Sequence, residues 1–163
     1  MISRKGKAMK VLNIGGKDYT FEFTMEASLY NECTEKVTNL LMSISEAGKK
    51  EDVKAMIMSM SDIPQTTLTM FYAGLLEHHG AEGDQSVPDK KAAKELIKKY
   101  FEEHKDDETG NFYGVMGLMI EVMTDDDFFK QIGLEQMVKN AQTEKKPKTP
   151  QDHKKKAVKA SEK

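Results

Sequence analysis

Two short alternating runs, Lys10-Val11-Leu12-Asn13-Ile14 and Lys17-Asp18-Tyr19-Thr20-Phe21-Glu22-Phe23, flank a Gly-Gly pair near the start of the chain. Gly15-Gly16 tolerates the positive φ angles of a two-residue turn, so this stretch predicts a β-hairpin. Every later apolar pattern has helical spacing. One hairpin followed only by helices cannot build a large sheet. The expected fold is therefore mainly α, an N-terminal β-hairpin followed by a bundle of about five to six helices. Asn13-Ile14-Gly15-Gly16-Lys17 is a turn and not a phosphate loop, because it lacks the Gly-Lys-Ser/Thr ending and the helix immediately after it.

Thr24 is placed to cap a first helix whose apolar residues Tyr30, Cys33, Val37, Leu40, Leu41 and Ile44 recur every three or four positions, with Gly48 as the stop. A second helix is expected from about Lys50 to Met60, with Val53, Met56, Ile57 and Met60 on one face. Ser61, Asp62 and Pro64 interrupt it. A third, from about Gln65 to His78, turns Leu68, Phe71, Tyr72, Leu75 and Leu76 inward.

Gly80 to Val87 reads as a polar surface loop. Ser86, Pro88 and Asp89 form a helix-start signature for a fourth helix that carries Ala92, Ala93, Leu96, Ile97, Tyr100 and Phe101. Asp106-Asp107-Glu108 is expected at the start of a fifth helix, where the macrodipole favours acids. That helix, Phe112 to Met123, is the most apolar and is expected at the centre of the bundle, with Gly114 and Gly117 permitting close helix approach. Asp125-Asp126-Asp127 then opens a last short helix holding Phe128, Phe129, Ile132, Leu134, Met137 and Val138.

A chain of 163 residues fits one domain. The division expected is a basic arm at 1–8, a hairpin-plus-helix domain at 9–140, and a disordered Lys-rich tail at 141–163. The tail holds eight lysines against Glu144, Asp152 and Glu162, a net of +5, so residues 1–140 carry −7 of the total of −2. An acidic body is a poor nucleic-acid binder, because phosphate contacts need a basic face. No apolar run reaches the roughly eighteen residues of a membrane span, and no signal-peptide stretch follows the basic start. Cys33, the single cysteine, cannot form an internal disulfide and sits at helical spacing among apolar neighbours, as a core residue would.

No catalytic constellation emerges. Consecutive carboxylates at 125–127 point in different directions and cannot converge on one cation. His78-His79 lacks the i, i+4 spacing that sets two imidazoles on one face, and a helix C-terminus favours a protonated His in any case. No Ser/His/Asp or Cys/His signature is present. The residues thus name no catalytic group, cofactor or metal, and the expectation is a protein that is not an enzyme. Methionine is the compositional outlier, at 12 of 163 with no Trp. Met is pliable and polarizable, suited to core gaps and to surfaces that accept varied apolar partners. Met58 lies off the stripe of Met56 and Met60 and is expected exposed unless a partner covers it.

The hairpin sequence, Phe71-Tyr72-Ala73-Gly74-Leu75-Leu76, Glu95-Leu96-Ile97-Lys98-Lys99-Tyr100-Phe101-Glu102-Glu103 and Phe128-Phe129-Lys130-Gln131 together resemble the tail assembly chaperones of long-tailed bacteriophages and prophage elements. The resemblance spans about residues 9–140. It implies a non-catalytic protein that binds the apolar, helical tape measure protein, keeps it soluble and helps recruit tail tube subunits. It further implies residence in the host bacterial cytoplasm and absence from the mature virion. Met56, Met58, Met60, Phe128 and Phe129 are the expected contact residues, and self-association is compatible with such a surface. The alternative is a small helical regulatory adaptor whose basic tail contacts nucleic acid.

Overall fold

A computed structural model describes residues 9–49 and 62–143. The expected helix over 50–60, with Met56, Met58 and Met60, lies outside the described residues, as does the arm at 1–8. The predicted hairpin is present: β1 (Lys10–Ile14) pairs antiparallel with β2 (Lys17–Phe21), in a register that sets Leu12 opposite Tyr19 and Ile14 opposite Lys17. Gly15 and Gly16 have φ of 61° and 80°, the left-handed pair that a tight two-residue turn demands. Seven helices follow among the described residues, which makes the fold mainly α.

The first expected helix is two. α1 (Met25–Leu29) ends at Tyr30, whose extended backbone breaks the run before α2 (Asn31–Lys49). The break turns the Tyr30 ring edge-on to Tyr72, with centroids 5.6 Å apart, while its hydroxyl donates to Glu32. Thr24 occupies the N-cap position but does not cap. Its hydroxyl donates instead to Glu77.

Next comes α3 (Ile63–His79), with Pro64 in its first turn. This helix, and not the apolar one expected, is the centre of the bundle. Thr66, Thr67 and Thr69 are buried together with Met70, Phe71, Ala73, Gly74 and Leu75. Its threonines tolerate burial because each hydroxyl is partnered, by Asp62, the Phe112 carbonyl and Glu32 respectively.

The remaining helices are α4 (Lys90–Glu103), α5 (Phe112–Asp125), α6 (Phe128–Gln131) and α7 (Glu135–Thr143). Asp89, not Ser86, caps α4, accepting from the Ala92 N–H at 2.8 Å. Asn111 caps α5, so the acids at 106–108 lie before that helix and outside its first turn. In the loop before α5, Asp107 accepts from the Thr109 N–H and hydroxyl. α7 runs to Thr143, two residues beyond the expected start of the tail at 141. α5 buries only one face, with Val115, Met119, Val122 and Met123, and leaves Tyr113 half exposed.

Packing of the hairpin on the helices closes the core. Phe21 meets Phe71 at 4.9 Å and Phe23 meets Phe128 at 5.2 Å, and all four rings are buried. Gly74 lies directly beneath them: a Cβ there would come within 3.2 Å of both hairpin rings. Its carbonyl also accepts the Glu22 N–H at 2.9 Å. At the turn, the Gly15 N–H donates to Glu103 at 2.7 Å and the Lys99 side chain lies across the space a Cβ would need. The hairpin is thereby held between α3 and α4. Truncating a buried ring such as Phe21 to Ala typically costs about 3–5 kcal/mol.

Candidate functional site

Spacing on α2 places Val37, Leu40, Leu41 and Ile44 on one stripe. Among the described residues the stripe is not fully covered. Met70 of α3, Ile120, Met123 and Thr124 of α5, Phe129 of α6 and Val138 of α7 face it across an apolar groove of about 180 Å³. Val37, Met70 and Met123 form the buried floor, whereas Ile44 is 38% exposed at the rim. Nine of these ten side chains are apolar, so the groove can take an apolar side chain or helix face and offers little to a charged ligand.

Of the expected contact residues, Met56, Met58 and Met60 lie outside the described residues. Phe128 is fully buried against Phe23 and has no surface to offer a partner; the hairpin claims it for the core. Phe129 is nearly buried but lines the groove.

The three aspartates at 125–127 divide between two helices instead of opening one. Asp125 ends α5. Asp126 follows it and accepts the Phe23 N–H at 2.8 Å, and Asp127, at a left-handed φ of 56°, precedes α6. Among the described residues no three His, Cys, Asp or Glu side chains are grouped to hold a metal ion.

Folding brings together one grouping that no local signature announces. Segment 80–87 doubles back over the end of α3, where Asp84 and Val87 donate their N–H groups to the carbonyls of His78 and His79. This return sets Asp84 and Ser86 against His79, at 3.0 and 3.1 Å from Nδ1. The constellation is not that of a hydrolase. Both partners converge on Nδ1, and Nε2 already accepts the Thr20 N–H at 2.9 Å. A base cannot take a proton on a nitrogen lone pair that a backbone amide occupies. The same bond requires a neutral imidazole, in contrast to the protonated ring expected at a helix C-terminus. His78 pairs instead with Glu22 at 2.8 Å. Hydrogen bonds from the Ser86 hydroxyl and N–H, with His79 beside them, hold the Asp84 carboxyl well below the usual carboxylate range.

Cys33 is buried, and burial followed by the neighbouring Glu32 charge pushes its thiol up to about 12, which suits a core residue and not a nucleophile. Among the described residues no helix is long and apolar enough to cross a membrane.

No protein-family model matches the chain, and no curated protein or solved structure shows significant similarity to it.

Proposed function

We propose that this chain is a non-enzymatic tail assembly chaperone of a long-tailed bacteriophage or prophage element. In this reading it binds the apolar helical tape measure protein in the host bacterial cytoplasm, keeps it soluble, helps bring tail tube subunits to it, and is absent from the finished virion. The observation that supports the reading is the apolar groove bounded by α2, α5, α6 and α7, which is open at Ile44. An amphipathic helix laid into such a groove buries its apolar stripe and leaves its polar face in water. Its contact residues are then Leu40, Leu41, Ile44, Ile120, Phe129 and Val138, and the reading also counts Met56, Met58 and Met60, which lie outside the described residues.

The test is co-expression with the tape measure protein encoded nearby. A soluble complex should elute with the wild-type chain and be lost with Ile44→Asp, while Val11→Ser on the exposed side of the hairpin leaves it intact. If the partner's solubility is unchanged and no complex elutes, the reading fails.

A further inference from the structure

A second cleft, of about 460 Å³, opens between the first turn of α3 and the start of α4 and shares no lining residue with the apolar groove. Leu68, Ile97 and Phe112 supply apolar walls, and Lys90, Lys91 and Lys94 line it from α4. The size falls within the roughly 300–1,000 Å³ of ligand-binding clefts. Three carboxylates close by are already engaged. Glu32 holds Lys90, Asp62 holds Lys36, and Asp89 caps α4. Lys91 and Lys94, both exposed, have no ion pair among the described residues.

Lys90 and Lys91 also stand in the first turn of α4, where the macrodipole disfavours cations. Lys90 is compensated there by its ion pair with Glu32, whereas Lys91 breaks the rule with no partner among the described residues. A local rule broken without compensation is expected at functional sites. The rest of the body sharpens the contrast, since residues 1–140 carry a net −7.

We propose that this cleft docks a short acidic segment of a protein partner that also carries an apolar anchor side chain. The unpaired ammonium groups attract the acids, and the walls of Leu68, Ile97 and Phe112 take the anchor. Residues 1–140 carry a net −7, so within them an acidic segment is drawn to the unpaired lysines. The Lys-rich stretch at 141–163 attracts acids as well, and loss of binding in the Lys91 and Lys94 variants assigns it to the cleft. A nucleic-acid strand fits less well. It needs a continuous basic track, whereas α4 passes from lysines into Glu102 and Glu103, followed by Asp106, Asp107 and Glu108.

Fluorescence anisotropy on the full-length chain tests this, with a labelled octapeptide in which aspartates flank a leucine–phenylalanine pair. Saturable binding is expected, weakened at least about tenfold by Lys91→Glu with Lys94→Glu, and similarly when serines replace the apolar pair in the peptide. Lys91→Ala with Lys94→Ala should weaken it in the same direction, and circular dichroism should show both double variants folded. Ile44→Asp should leave binding unchanged, which separates this cleft from the groove. The proposal is overturned if no binding occurs at low salt, if the lysine variants bind normally, or if the serine peptide binds equally well. It is also overturned if single-stranded DNA displaces the peptide as effectively as unlabelled peptide, which marks a general polyanion surface.

Discussion

The backbone N–H of Thr20 donates to Nε2 of His79 across 2.9 Å, tying the far end of β2 to the last turn of α3. Because Nε2 accepts, the ring proton sits on Nδ1, where it is donated to Asp84 with Ser86 alongside. The Tyr19 ring packs against the imidazole at 5.2 Å. His79 thus joins the hairpin to the loop that caps α3.

Nitrogen NMR of the imidazole at neutral pH should therefore report the Nδ1–H tautomer for His79, the less common form in solution. Replacing His79 by Ala should destabilise the fold by about 1–3 kcal/mol in urea titration, since it strands the Thr20 amide and loosens Asp84. An Nε2–H tautomer, or an unchanged midpoint, contradicts the assignment.

The two glycines of α5 should respond oppositely to alanine. A Cβ at Gly117 meets nothing within 4 Å, so Gly117→Ala should stabilise by roughly 0.5–1 kcal/mol through helix propensity. A Cβ at Gly114 would lie 2.5 Å from the Thr109 backbone, so Gly114→Ala should destabilise. Thermal melts of both variants decide the matter, and a shift of the same sign in each refutes it.

Acid should weaken the junction of α2, α3 and α4. Hydrogen bonds from the Lys90 ammonium, and then from the Tyr30 hydroxyl, hold the Glu32 carboxyl below its usual value. A carboxyl depressed in the folded state contributes stability above its unfolded pKa of about 4.3, and that contribution fades as pH falls below it. Urea midpoints measured from pH 7 to 3 should fall more steeply at the acid end for wild type than for Glu32→Gln. Parallel profiles would falsify this role.

Cys33 should resist thiol reagents at pH 8 in the native protein and react freely in denaturant. Buried, with its thiol pushed up to about 12, it reacts only when the structure opens, so labelling should be slowed roughly a thousandfold or more. Labelling at the rate of a free thiol would show that the core packed against α2 does not enclose it.

The hairpin and the helices at 63–79, 90–103 and 112–125 are legible in the chain because turn chemistry and apolar periodicity are local. The break at Tyr30 is not, because the ring contact that accompanies it is with Tyr72, 42 positions away. The central place of α3 is hidden by Thr66, Thr67 and Thr69, which read as polar yet are buried with partnered hydroxyls. Half of the groove, the α2 stripe of Val37, Leu40, Leu41 and Ile44, is visible as spacing. The other half comes from Ile120, Phe129 and Val138, which only tertiary packing brings opposite it. The grouping of His79, Asp84 and Ser86 escapes notice because segment 80–87 reads as an ordinary polar loop, and its return over α3 has no short motif.

Phe23 and Phe128 touch although 105 positions separate them. During synthesis at about 5–20 residues per second, the hairpin emerges on the order of 5–20 s before the ring that completes its cover. A lone two-stranded hairpin is marginal in water, so Ile14, Phe21 and Phe23 must wait, unburied, for chain not yet made. The growing polypeptide therefore passes through an interval in which its own first segment is sticky, and slower translation should lengthen that exposure to aggregation.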